Sequence, residues 1–425
     1  MDIKSIKYPN CSCGRKHTPL DMIVEIGPGL IKKTAKILEN FPKSILIVAD
    51  KNTLAASDGL LDILKSGGFS FELFCYENCI EANILQVEEL EKIAAPYDGI
   101  LAIGSGSISD VCRTAAYRTD KAFAIFATAA SMDGFASSAS PITFGCVKKT
   151  VECRVADVII GDTEIIAKAP AALKSAGFAD ILAKYIALLD WKIATLASTE
   201  YYCPNVALLV KNALEKAVSL ADRVTDEDPE IAQAMMEALI LSGIAIALAN
   251  STRPASAAEH LLSHFWEMRK LERREPVAFH GEKVGVGTLL IARLYHNIAD
   301  NVYDSPVFQK ADPDWEAIYD VFGADLKEEI KDLNNPSILD GTSPALLESV
   351  WPQIVKLIKE ELPSYEKLLE LMTSANAITN IKDIGVDEDL AVEALIYHPY
   401  MRYRINLTTF IPMLGIDPDY ANLLE

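Results

Sequence analysis

The feature that most limits how this chain can fold is a change of rhythm near residue 165. Before it, short apolar runs alternate with amphipathic stretches. "MIVEI" (22–26), "SILIVAD" (44–50), "FSFELFC" (69–75), "DGILAIG" (98–104) and "AFAIFAT" (122–128) read as strands. Between them, "LIKKTAKILEN", "NTLAASDGLLDILKSG" and "EELEKIAAPY" carry apolar residues at helical spacing. Strands that are apolar on both faces need cover on both, and helices between successive strands supply it. The pattern therefore predicts a parallel α/β sheet clothed in helices. "VKKTVECRVADVIIGD" (147–162) adds further strand-like material. Later segments (163–195, 204–224, 228–249, 255–272, 281–300, 314–333, 343–374 and 387–396) are helical patterns without strand alternation. The expectation is an α/β domain over residues 1–165 followed by an all-α domain over 166–425.

Composition bounds the function. Half of the 425 residues are apolar, enough to fill a large core. A formal charge of −20 argues against nucleic acid and anionic membrane as partners, because both repel an acidic surface. An anionic small molecule needs only a local basic pocket. The opening "MDIKSIKYPNCSCGRKH" lacks the apolar run of a signal peptide. The longest apolar stretch, 238–249, is too short to cross a bilayer. A cytoplasmic protein is expected, and its eight thinly spread cysteines read as reduced thiols. "CSCGRKH" (11–17) has the look of a metal clip, yet no second cysteine pair follows at finger or ribbon spacing. Cys75 and Cys79 read as core-facing.

Two loops after predicted strands carry ligand chemistry. "GSGSISD" places Gly104, Ser105, Gly106 and Ser107 between a buried strand and a helix. Glycines let the backbone approach a phosphate, and N–H groups at a helix start attract its charge. This is not the G-x-G-x-x-G after a first strand of the standard dinucleotide motif. The second loop, "TAASMDGFASSASP" (128–141), is rich in small hydroxyl residues around Asp133; it reads either as part of a site or as a polar turn. Asp50, closing its strand, either accepts hydrogen bonds from a ribose or caps the next helix.

"NSTRPASAAEHLLSHFWEM" (250–268) holds two of the six histidines, His260 and His264, one turn apart. Ser256 and Glu259 have capping-box spacing. Both histidines fall at the border between a broad apolar arc and a polar strip, where a cleft residue or a satisfied core histidine sits equally well. The pattern is not H-E-x-x-H. A catalytic metal needs about three protein ligands, and His280 and Asp180 are the candidates outside this helix. Asp180 and Lys184 have the i,i+4 spacing of one helical face. Spacing alone leaves the ligand set open.

In combination, "GSGSISD", "TAASMDGFASSASP", "GFADILAKYIALLDW" (177–191), "STRPASAAEHLLSHFWEM" and "HGEKVGVG" (280–287) resemble the sn-glycerol-1-phosphate dehydrogenases. These are relatives of the iron-containing alcohol dehydrogenases, glycerol dehydrogenase and dehydroquinate synthase. The resemblance runs over about residues 20–300. It implies a dehydroquinate synthase-like fold: a Rossmann-like cofactor domain, then a helical domain, with the active site in the cleft between them. It implies one divalent ion (zinc, nickel or iron) on Asp180, His260 and His280, with His264 and Asp133 at the substrate. Gly106, Ser107, Ile108, Ser109 and Asp110, then Thr128, Ala129, Ala130 and Ser131, and also Ser137, match the family's dinucleotide contacts, and Asp50 the acid near the ribose. One departure is Ala257, where many relatives have Gly.

The implied reaction is reversible reduction of dihydroxyacetone phosphate by NAD(H) or NADP(H) in a homo-oligomeric enzyme, with His264 or a water chain relaying the proton. Lys184 and Arg253 are candidates for the substrate phosphate or are ordinary ion-pair partners. Glycerol dehydrogenase, a dehydroquinate synthase-type lyase and a non-catalytic binding protein are the rival readings.

Overall fold

The computed structural model describes residues 1, 3–18, 20–78 and 80–424; the expectation for Cys79 lies outside the described residues. Among the described residues eight strands form: β1 (Ile23–Gly27), β2 (Ser44–Asp50), β3 (Ser70–Tyr76), β4 (Gly99–Gly104), β5 (Ala122–Ala127), β6 (Ala139–Phe144), β7 (Val147–Glu152) and β8 (Val158–Asp162). Six of them make one parallel sheet in the order β1-β8-β5-β4-β2-β3. Every residue of β4 and β8 is buried, which is why these strands have no polar alternation. Ile45, Ile47, Leu101, Ile103, Phe126 and Ile160 on the strands pack with Leu60 and Leu64 from a covering helix. Each such side chain contributes roughly 1.5–3 kcal/mol by leaving water.

The strand-like run 147–162 resolves into two strands with different partners. β8 joins the main sheet, whereas β7 pairs antiparallel with β6 through the short connection Gly145–Cys146. β6 lies inside the serine-rich segment, where its proline and hydroxyl residues conceal a strand. A hairpin edge tolerates the missing N–H of Pro141.

Among the described residues no strand follows β8. The segment 163–195 breaks into helices Thr163–Ile166, Ala171–Leu182 and Lys184–Ala197. Ala183, which separates the last two, keeps right-handed helical dihedrals at φ −57° and ψ −19°.

Packing divides the chain into two compact units. The first comprises Met1–Ile181, Asn205–Ser251 and Ser374–Ala377; the second comprises Leu182–Pro204, Thr252–Thr373 and Ile378–Glu425. The helical segment 205–251 thus packs with the sheet. Its helix Pro229–Ala249 is 21 residues long with mean hydropathy 1.9, so it extends well beyond the apolar run 238–249 and is long enough to cross a bilayer. That helix is apolar nearly all round and 78% buried, and it packs on β1 and on helix Thr163–Ile166. An all-round apolar helix requires cover on every side. In the second unit, helices Ala258–Glu272 and His280–Ala299 pack on each other, with Trp191, Trp266 and Tyr295 fully buried.

Candidate metal and nucleotide site

The glycine loop and the serine-rich loop leave neighbouring strands side by side. Gly104 at the end of β4 pairs with Ala127 at the end of β5, and Thr128 N donates to Gly104 O at 3.1 Å. The hydroxyls of Ser105 and Ser131 hydrogen-bond each other. Helix Gly106–Arg118 starts directly after this seam, and Ser105 gives it no side-chain cap. The first-turn N–H groups of Gly106, Ser107 and Ile108 are thus left to an anion or water. Thr128, Ala129, Ala130 and Ser131 are buried, and the Ser137 hydroxyl is tied to Ala139 N and O, at 3.0 Å each.

Asp110 and Asp50 are placed by hydrogen bonds within the chain. Asp110 is buried and paired with Arg113 at 3.0 Å. Burial pushes its carboxyl up to about 6 despite the opposing pull of Arg113. Arg113, fully buried, also donates to Gly134 O at 2.7 Å and Phe135 O at 2.9 Å. It braces the loop that carries Asp133. Sequence reasoning missed this residue; its only signal was an i,i+3 acid–base pair in "SDVCR". Asp50 Oδ1 accepts from Asn52 N and Thr53 N at 2.8 and 2.9 Å, and Thr53 Oγ1 answers Asp50 N at 3.0 Å. The capping reading of Asp50 is therefore realised.

Asp180 is held by the serine-rich loop. Asp133 N donates to Asp180 Oδ2 at 2.9 Å, while Asp133 Oδ2 accepts from Ser242 Oγ at 2.8 Å. Helix Ala171–Leu182 reaches this loop through Gly177: a Cβ there would lie 2.0 Å from Ala130 O. Only glycine permits that approach, and it sets Asp180, one turn on, against the loop.

The histidine helix begins differently from expectation. Its N-cap is Ala257, without a side-chain cap. The predicted Ser256–Glu259 box is replaced by Glu259 folding back: Oε1 accepts from Ala257 N at 3.0 Å and from His260 Nδ1 at 2.7 Å. Glu259 is fully buried, so its carboxylate must find donors nearby. A ring whose Nδ1–H is held by a carboxylate presents Nε2 as a ligand with its tautomer fixed. The ring centroids of His260 and His280 are 5.2 Å apart, and His264 lies 6.1 Å from His280. Behind His264, Glu267 Oε2 lies 3.7 Å from its Nδ1 and 3.0 Å from Lys283 Nζ. Glu267 and Lys283 are both buried and were not singled out by sequence.

Asp180, His260 and His280 each offer one ligand atom, and these atoms all lie within 4.8 Å of one another. A carboxylate and two imidazoles suit a borderline divalent ion and leave coordination positions open. His264 stands beside this group rather than in it.

The two cations proposed for phosphate are engaged elsewhere. Lys184, fully buried, donates from Nζ to Ala255 O at 3.0 Å. Arg253, 3% exposed, is paired with Glu200 and donates to Ile405 O at 2.5 Å. For Arg253 the structure has the ion-pair reading, while Lys184 braces the backbone carbonyl of Ala255 before the histidine helix.

Comparison with known proteins places this geometry in a family. Residues 25–170 match the family model described as iron-containing alcohol dehydrogenase. The chain is 28% identical over 413 residues to a protein of Geobacillus stearothermophilus named glycerol-1-phosphate dehydrogenase (NAD(P)+), covering 95% of each. It is 34% identical over 302 residues to the protein of that name from Halalkalibacterium halodurans, covering 68% of this chain and 74% of the relative. Among solved structures, glycerol dehydrogenase from Schizosaccharomyces pombe superposes with a TM-score of 0.62 at 17% identity, over 95% of this chain and 88% of that one. That last likeness shows the fold alone.

Proposed function

The chain belongs to the glycerol-1-phosphate dehydrogenase family, and from that premise we propose that it reduces dihydroxyacetone phosphate with NAD(P)H to sn-glycerol 1-phosphate, reversibly. The observation that carries this reading is the grouping of Asp180, His260 and His280. A divalent ion on these three residues supplies Lewis-acid polarisation of a carbonyl oxygen. A bound nicotinamide dinucleotide would supply the hydride.

The chain's own residues do the rest. Glu259 fixes the tautomer and orientation of His260. Asp133 N–H donates to Asp180 Oδ2 and so holds the orientation of the ligand carboxylate. The N-terminus of helix Gly106–Arg118, beside the Ser105–Ser131 seam, would hold the dinucleotide's pyrophosphate. His264, backed by Glu267 and Lys283, holds and passes the proton that the product hydroxyl requires. Asp133 lines the substrate. Neither Lys184 nor Arg253 is assigned the phosphate. A small phosphorylated substrate, a cytoplasmic setting and a homo-oligomer go with this reading.

Side-by-side assays of dihydroxyacetone phosphate and dihydroxyacetone, each with NADH and NADPH, test it. The expected result is dinucleotide oxidation with the phosphorylated ketone and a product of sn-1 configuration. Preference for the unphosphorylated ketone would return the glycerol dehydrogenase reading.

A further inference from the structure

A second group of ligand-type side chains stands apart from every residue assigned above. Cys11, Cys13, His17 and Cys203 each offer one ligand atom, all within 4.8 Å of one another. We propose that these four residues bind a structural zinc ion that fastens the N-terminal segment to the chain at Cys203.

The sequence shows only half of such a site. "CSCGRKH" lacks a second cysteine pair at finger spacing, and the third thiol comes from far along the chain. The fold gathers it in. Gly14 N donates to Cys11 O at 3.1 Å, closing a tight turn. Gly14 at φ 79° permits this turn, which a side chain would resist. A bridge between Tyr8 and His17 then brings the chain back, with Cys13 Sγ 3.2 Å from His17 Nε2. Cys203 is fully buried and immediately precedes helix Pro204–Val218.

The surrounding contacts are those a bound ion requires. His17 is 2% exposed, and its Nδ1 lies 2.7 Å from Leu248 O. A carbonyl can only accept, so Nδ1 carries the proton and Nε2 carries the lone pair beside Cys13. Asn205 Nδ2 donates to Cys11 Sγ at 3.2 Å, the kind of outer contact that steadies a thiolate.

Three thiolates and an imidazole make a complete tetrahedral set with no place for substrate. The Asp/His/His group, by contrast, is one donor short of filled. Soft sulfur selects zinc over the oxygen-seeking ions. On binding, each cysteine thiol releases its proton to solvent and forms a metal–sulfur bond. Three thiolates on a dication leave one net negative charge, and Arg15 and Lys16 within the clip offset it.

Cobalt substitution of the intact enzyme separates the two sites. Thiolate-bound Co(II) shows an intense sulfur-to-metal charge-transfer band, which an Asp/His/His site cannot give. The expected result is that band in the wild type, together with two metal ions per chain. Cys13→Ser should lose the band and one ion, while Asp180→Asn should keep the band. Replacing fully buried Cys203 risks misfolding, so a second measurement uses the unmodified chain: a thiol-specific mercurial should release one zinc per chain to a chromogenic chelator. Absence of the band in the wild type, no zinc release, or a peptide map showing any two of these cysteines joined as a disulfide would overturn the proposal.

Discussion

The backbone N–H of Asp133 donates to Asp180 Oδ2 at 2.9 Å, so the loop after β5 and the carboxylate of the metal group are set by one another. The same loop is braced by Arg113 through Gly134 O and Phe135 O and by Ser242 through the Asp133 side chain. Under the proposed function, substrate lining by Asp133 and metal ligation by Asp180 are therefore mechanically coupled. Substitutions that move the loop should disturb both at once.

Gly177→Ala tests that coupling. The added methyl would sit 2.0 Å from Ala130 O, so helix or loop must shift. We expect a stability loss of about 1–3 kcal/mol, as for other overpacked interiors. Metal affinity should weaken and KM for the dinucleotide rise in the same variant. Thermal melts and steady-state kinetics check this; a variant with an unchanged Tm and wild-type constants would break the link.

Glu259→Gln removes the carboxylate that holds His260 Nδ1 at 2.7 Å while keeping its size. Outer-sphere changes of this kind cost about 10–100-fold in metal affinity. The expected outcome is a folded enzyme needing that much more metal for half-maximal activity. Equal affinity in competitive chelator titrations would show that the ring is oriented by something else.

Arg253→Ala distinguishes a structural cation from a phosphate ligand. Its guanidinium pairs with Glu200 and with Ile405 O. Loss of these charge-assisted bonds should cost on the order of 2 kcal/mol, leaving the preference for phosphorylated over unphosphorylated ketone unaltered. A normal melting curve with a selectively raised KM for the phosphorylated substrate would restore the phosphate role.

Asp190 supplies a pH test. Burial pushes its carboxyl up to about 7, Glu259 adds repulsion, and donors on Tyr295, Leu407 and Ala258 pull the other way. Its unfolded value is about 3.9, so the fold binds this proton more tightly. The resulting stabilisation is complete below the unfolded value and is lost as pH rises to about 7. The stability difference between wild type and Asp190→Asn should therefore fall by on the order of 4 kcal/mol between about pH 4 and pH 7, then level off. Urea unfolding across that range measures it, and a pH-independent difference would contradict the assignment.

The five strands read from sequence lie within one residue of β1 to β5 because strands buried on both faces leave an unmistakable apolar run. β6 escaped because a hairpin strand containing Pro141 and two hydroxyl residues, Ser140 and Thr143, lacks that run. Apolar spacing identified helix Pro229–Ala249 but carries no information about its partner, so its membership of the sheet-bearing unit was invisible. Asp180, His260 and His280 were recognisable through family resemblance, not spacing: they are distant in sequence and meet only in the fold. The groups that position them, Glu259 and the Asp133 backbone, act through local hydrogen bonds that no sequence pattern marks. The ordinary roles of Lys184 and Arg253 likewise depend on carbonyls supplied by remote segments.

The most direct test is activity-linked metal binding by the wild type and by Asp180→Asn, His260→Ala and His280→Ala. Stripped wild-type enzyme should be inactive towards dihydroxyacetone phosphate and recover as zinc, nickel or iron refills the Asp180, His260 and His280 group, whereas all three variants should neither recover nor retain the ion of that group. A His280→Ala enzyme with its full metal complement and wild-type turnover would contradict the account.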